Sequence, residues 1–159
     1  MVRALAVVNC QSTPTCRSFR SSSHAPTTCL SRATDPIRQF LEAPRFATIA
    51  TLDPNGDPHQ AVIWYALDGD DLLINSRVGR VWPQNLDADP RVSIAVYDTE
   101  RPYHCVMLKG RATRIHEGAD AERDIMDLAR RYGRDPSRYG GQQRATYRVR
   151  IEHAFDYAD

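Results

Sequence analysis

Between residues 74 and 86 the chain reads INSRVGRVWPQNL, which gathers the side chains best suited to holding an anion. Asn75 and Ser76 offer short polar groups where an apolar run ends. Arg77 and Arg80 add planar cationic forks around Gly79, and the free N–H groups of a helix starting near that glycine point back the same way. Hydroxyl, guanidinium and helix N-terminus together make a phosphate or carboxylate cradle. A solvated polar turn is the more economical reading of this stretch taken alone, and Asn85 reads first as a cap or turn residue.

Side chains for acid–base or nucleophilic work are not gathered anywhere. There is no G-x-S-x-G, no H-E-x-x-H and no Cys/His pair with an orienting partner. His59, His104, His116 and His153 are scattered along the chain, and the acidic residues fall in turns and on one polar helix face. A binding cradle without an acid–base set implies that a cofactor carries the chemistry. In AVIWYAL, Trp64 and Tyr65 lie on opposite faces of a strand. Such aromatics are more often core, although one could wall a planar ring.

Composition narrows the partners. The 159 residues carry a net charge of +1, with 42% hydrophobic and 26% charged residues, as in ordinary globular proteins. That charge makes no case for nucleic acid or a membrane surface, and no apolar run is long enough to span a bilayer. Cys10, Cys16, Cys29 and Cys105, with His24 nearby, match no zinc spacing and no disulfide scaffold. A reducing cytoplasm is therefore the expected location.

The elements that must position these residues begin at Asp35. Residues 1–34 are Ser-, Thr-, Pro- and Arg-rich, contain no acidic residue and show no apolar period. They read as a disordered N-terminal extension, one explanation being a start codon assigned too early. Residues 35–159 form the folded unit. TDPIRQFLEAP predicts a short helix capped by Thr34 or Asp35, with Ile37, Phe40 and Leu41 on one face. RFATIATLD alternates with period two, DPNGDP is a turn, and HQAVIWYALD is its antiparallel partner strand. DGDD turns into LLIN, and GRVWPQNLDADP follows as one or two helical turns. RVSIAVYD and YHCVMLKGRATRIHE are strands, the latter bent or bulged at Gly110. GADAERDIMDLARRYG is a helix with the stripe Ala121, Ile125, Leu128 and Tyr132, closed by Gly133. ATYRVRIEHAF is the last strand. About six strands joined by short turns imply a mainly β fold, an antiparallel sheet curled into a small barrel. No βαβ alternation, G-x-G-x-x-G or G-x-x-x-x-G-K-[ST] is present.

Read in order, R-x-A-x-x-A-T, D-x-x-G-x-P-H, V-I-W-Y, I-N-S…G-R, N-L-D-A-D-P-R-V-S-I and L-K-G-R-A resemble the pyridoxamine 5′-phosphate oxidase-like FMN-binding split β-barrel family. The chain is most similar to the branch that uses the deazaflavin coenzyme F420. The resemblance runs from about Asp35 to the end and implies a six-stranded Greek-key split barrel acting as a homodimer. Two cofactors, coenzyme F420 or FMN, would sit at the subunit interface. It places the phosphate cradle on Asn75, Ser76, Arg80 and Asn85, and the ring along His59, Gln60, Ala61, Val62 and Trp64. Hydride would pass between the ring and a small conjugated or quinone-like substrate.

Many members carry a lysine three residues before the helix asparagine; here that position is Trp82, followed by Pro83, which leaves Arg77 and Arg80 to compensate. FMN and coenzyme F420 share a ring, a ribityl chain and a phosphate, so the cradle does not separate them. The oligoglutamate tail of the deazaflavin would call on Arg45, Arg101 or Arg111. A non-catalytic flavin- or haem-binding protein is the alternative. Pyridoxamine 5′-phosphate oxidase activity is weaker, because the chain is short and no substrate-phosphate arginine set stands out near its end.

Overall fold

The computed structural model describes residues 35–157; the expected N-terminal extension, Thr34 and three of the four cysteines lie outside them. Helix α1 (Asp35–Glu42) buries the expected Ile37, Phe40 and Leu41. Strands β1 (Ala47–Leu52) and β2 (Pro58–Ile63) form the predicted hairpin, with Ala47 opposite Ile63 and Leu52 opposite Pro58. Its turn is held by the Asp53 carboxylate, which accepts from the N–H groups of Asn55 and Asp57 at 2.9 Å each. Gly56 supplies the left-handed backbone (φ 87°) that the turn requires.

The strand expected over residues 59–68 is two strands. The chain leaves β2 at Ile63, turns a corner at Trp64 and resumes as β3 (Tyr65–Asp68), which pairs with β4 (Asp71–Arg77). Trp64 stacks on Tyr132 with centroids 5.0 Å apart, and the Tyr65 N–H donates to the Tyr132 hydroxyl at 3.2 Å. That side chain takes a backbone donor from the ladder, so pairing on the β2 side stops there. Ile63 and Tyr65 are both buried, so the period-two pattern runs through the corner without a break.

Helix α2 (Val81–Ala88) follows β4, and then come β5 (Arg91–Tyr97), β6 (Cys105–Glu117), α3 (Gly118–Arg131), a 3-10 turn (Pro136–Tyr139) and β7 (Arg144–Tyr157). The antiparallel sheet has seven strands rather than six, in the order β2-β1-β5-β6-β7-β4-β3. Its two edge strands are consecutive in sequence, so Trp64 is where the edges meet and the sheet curls into a split barrel. The expected bulge lies at Lys109/Gly110, where a Cβ on Gly110 would stand 2.1 Å from the Arg150 carbonyl oxygen.

The barrel interior is filled by Ile49, Tyr65, Leu72, Ile74, Ile94, Val96, Val106, Leu108, Tyr147 and Val149. Helix α2 plugs one end with Trp82, Pro83, Asn85 and Leu86. Helix α3 buries Ala121, Ile125 and Leu128 as expected, with Tyr132 at its C-cap and Gly133 (φ 64°) just beyond. Arg131, in its last turn, donates to the carbonyls of Leu41, Glu42, Ala43 and Tyr65, tying α3 to the end of α1 and the start of β3. No helix among the described residues is long and apolar enough to cross a membrane.

Candidate functional site

Where the corner at Trp64 meets the end of β4, a cleft of about 260 Å³ opens. Phe46, Val62, Ile63 and Trp64 form one wall, Trp82 and Ile125 the floor, and Asn75, Arg80, Tyr139 and Arg144 the polar side. Tyr139 meets Trp64 edge-on, with centroids 5.6 Å apart. A flat apolar wall facing a cationic edge suits a planar ring that carries an anionic tail.

Arg144 dominates the polar side. It is 6% exposed, yet among the described residues it forms no ion pair. Its Nη1 donates to Asn75 Oδ1 at 2.8 Å, while Nε and Nη2 donate to Gln142 Oε1 at 3.1 and 2.6 Å. The same Gln142 oxygen accepts from Arg77 Nε at 2.9 Å, so a neutral amide bridges two guanidinium groups. The side chain of Arg80, at the N-cap of α2, has no hydrogen bond or ion pair among the described residues and completes a three-arginine edge. Burial, and then the nearby charges of Arg77 and Arg80, pull the Arg144 pKa down from 12.5 to about 10. It stays protonated at neutral pH.

Asn75 aims Arg144. Its Nδ2 donates to the Ala121 carbonyl and to Thr146 Oγ1, both at 2.8 Å, so Oδ1 must face the guanidinium. Thr146 Oγ1 in turn donates to Asp124 Oδ2 at 2.6 Å, and the same carboxylate oxygen lies 2.8 Å from His116 Nδ1. A polar chain thus runs from α3 through β7 and β4 to the cleft.

Of the residues singled out in the sequence, Val62, Trp64, Asn75, Arg80 and Trp82 line this cleft, and Arg77 joins it through Gln142. The others lie outside its lining, for reasons of strand geometry. Along β2, Ala61 packs against the core while Gln60 and Val62 face out, and His59 lies farther down the strand. Ser76 turns to the opposite face from Asn75; it is 2% exposed, and its Oγ has no hydrogen-bond partner. Asn85 is buried and donates from Nδ2 to Thr51 Oγ1 at 3.1 Å, docking α2 on β1. Asn75, Ser76, Arg80 and Asn85 therefore do not converge as side chains; Asn75 and Arg80 do. Trp82, at the lysine position of the resemblance, is 3% exposed and packs on Tyr147.

Sequence reading missed Phe46, Tyr139 and above all Arg144. The signal for Arg144 was weak but real, an arginine in phase with Thr146 on a strand whose neighbouring residues include no acid.

These features define a split-barrel domain with a cationic cleft, and the chain belongs to the pyridoxamine 5′-phosphate oxidase family, whose sequence profile matches residues 33–158. Among solved structures it is similar to an F420 reductase, at 25% identity over 74% of this chain and 94% of the other, with a TM-score of 0.64. A putative pyridoxamine 5′-phosphate oxidase from Listeria innocua shares the fold at 16% identity and a TM-score of 0.61, covering 77% of this chain and 95% of that one. HutZ, the haem storage protein of Vibrio cholerae, does so at 16% identity and a TM-score of 0.63, covering 79% and 94%. No curated protein sequence matches the chain.

Proposed function

We propose that the protein is an oxidoreductase that binds coenzyme F420 or FMN in the Trp64–Arg80 cleft and works as a homodimer. The observation that carries this reading is the pairing of an apolar, aromatic wall with an arginine edge that, among the described residues, forms no ion pair with a carboxylate. A phosphate tail meets Arg80 and Arg144, and the ring lies toward Val62 and Trp64. The bound ring supplies hydride transfer to or from a small conjugated or quinone-like substrate. The protein's own part is to hold the tail, orient the ring and shield it, which needs no side-chain nucleophile. Phe46 (43% exposed), Val62 (71%), Tyr97 (41%) and Met107 (37%) leave apolar surface that a second copy would cover, placing the cofactor between subunits.

Side-by-side titration with FMN and coenzyme F420, followed by turnover against quinone and nitro compounds, tests the reading. Arg80→Ala weakens binding by on the order of 1.5–3 kcal/mol through loss of a charge-assisted contact. An unchanged dissociation constant would reject the cradle. Storage or sensing of haem is the second reading, prompted by the fold shared with HutZ. Among the described residues, Tyr139 is the cleft side chain suited to ligating haem iron, since no described histidine, cysteine or methionine lines the cleft. A Soret band in the purified protein would favour it.

A further inference from the structure

We infer that Arg144 is the principal anion-binding group of the cleft, supplying from β7 the cation that the α2 position occupied by Trp82 does not, and that Asn75 holds it in position. The inference rests on the cofactor reading above and specifies which residue recognises the phosphate.

Three observations carry it. Arg144 is nearly inaccessible, its hydrogen bonds go only to neutral oxygens and, among the described residues, it forms no ion pair, so its burial is costly unless something else meets its charge. A guanidinium has five N–H donors, and the three bonds to Asn75 and Gln142 leave two unused in a residue that lines the cleft. The two that remain, one on Nη1 and one on Nη2, can donate to the oxygens of a phosphate. Its neighbours Arg77 and Arg80 reinforce the positive field, which Tyr139 and Glu122 offset only in part.

Arginines on the larger groove behave differently. Arg91 and Arg111, lining a cavity of about 480 Å³, are each committed to a carboxylate, Asp89 and Glu152. Asn75 has spent its amide on Ala121, Thr146 and Arg144, so it positions the arginine rather than touching the ligand. Trp82 is sealed into the core against Tyr147, so that position contributes no cation to the cleft.

The test compares each cofactor with its phosphate-free chromophore: FMN against riboflavin, and coenzyme F420 against its dephosphorylated deazariboflavin. Titrations use the full-length protein. Arg144→Met should cut the preference for the phosphorylated member at least tenfold while leaving affinity for the bare chromophore unchanged. Arg144→Lys, which keeps the charge but not the fork, should fall between, and it decides the matter if the methionine variant does not fold. Thr146→Val, which frees Asn75 to turn, should lower the preference severalfold. A preference unchanged in both Arg144 variants overturns the inference alone. Equal losses for phosphorylated and bare compounds also overturn it, because they mean that Arg144 merely shapes the cleft. A wild-type protein that binds none of the four compounds overturns the cofactor reading and this inference with it.

Discussion

Arg144 and Arg114 sit on adjacent strands and stand in opposite electrostatic surroundings. Arg114, on β6, is ion-paired with Asp87, bonds Glu117 at 2.6 Å and the Tyr147 hydroxyl at 2.9 Å, and lies over the Tyr147 ring. Its pKa is driven up, chiefly by the Glu117 hydrogen bond, with Tyr147 and Asp87 adding to it. Arg144, on β7, donates only to amide oxygens and lies over the Tyr139 ring, and burial with the charges of Arg77 and Arg80 drives its pKa down against a smaller opposing pull from Tyr139 and Glu122. One guanidinium fastens α2 and the start of α3 to the barrel; the other is kept at a cleft with no ion pair among the described residues. The difference teaches that arginine counts and hydrogen-bond counts do not separate structure from function here. The charge of the acceptor does.

The comparison can be broken most forcefully on its structural side. Trp82 lines the cleft but packs on Tyr147, so Trp82→Ala should lower the unfolding free energy by about 3–5 kcal/mol, read by urea denaturation. Arg114→Met should follow with a loss of about 1–3 kcal/mol, because it removes the guanidinium's hydrogen bonds to Asp87, Glu117 and the Tyr147 hydroxyl. Cofactor affinity should not move in that variant. Arg144→Met should leave the apo-protein within about 1 kcal/mol of wild type, or more stable, since it removes a buried charge without an ionic partner. A loss on the scale of Arg114→Met would erase the contrast.

The smallest expected effect is in alkali, where the two regions pull in opposite directions. Burial, and then the Asp87 carboxylate, raise the Tyr147 pKa from 10.0 to about 12. The stability this contributes is present below pH 10 and is lost as pH rises through 12. Arg144 has a folded pKa depressed to about 10, so its burial penalty applies below that value and is relieved as pH climbs toward 12.5. Between pH 10 and 12, Tyr147→Phe should flatten the fall in unfolding free energy and Arg144→Met should steepen it, each by about 1 kcal/mol. Urea denaturation at several pH values reads both slopes, and parallel slopes would contradict the assignment.

Much of the fold was legible because period and punctuation agree. The stripe Ala121, Ile125, Leu128 marked α3, and Asp53 with Gly56 marked the first hairpin. The corner at Trp64 was not legible, because buried residues continue in phase on both sides of it and the cause, the Tyr132 hydroxyl, lies 67 positions away. The site divides the same way. Asn75 and Arg80 stood out because they end an apolar strand and begin a helix. Ser76 and Asn85 stood out equally, but strand alternation and docking on Thr51 turned them elsewhere. Arg144 reaches Asn75 across 69 positions, so no local pattern could join them.

That separation has a consequence for how the protein comes into being. Asn75 belongs to β4 and Arg144 to β7, and the two strands pair from Leu72↔Val149 to Arg77↔Arg144. On the ribosome, β4 emerges long before its partner and waits with one edge bare, while β1, β2 and β5 can already assemble. The arginine edge of the cleft is therefore complete only after the last strand docks. A nascent or nicked chain without that strand has the aromatic wall and Arg80 but lacks Arg144, so the intact anion site reports a finished barrel.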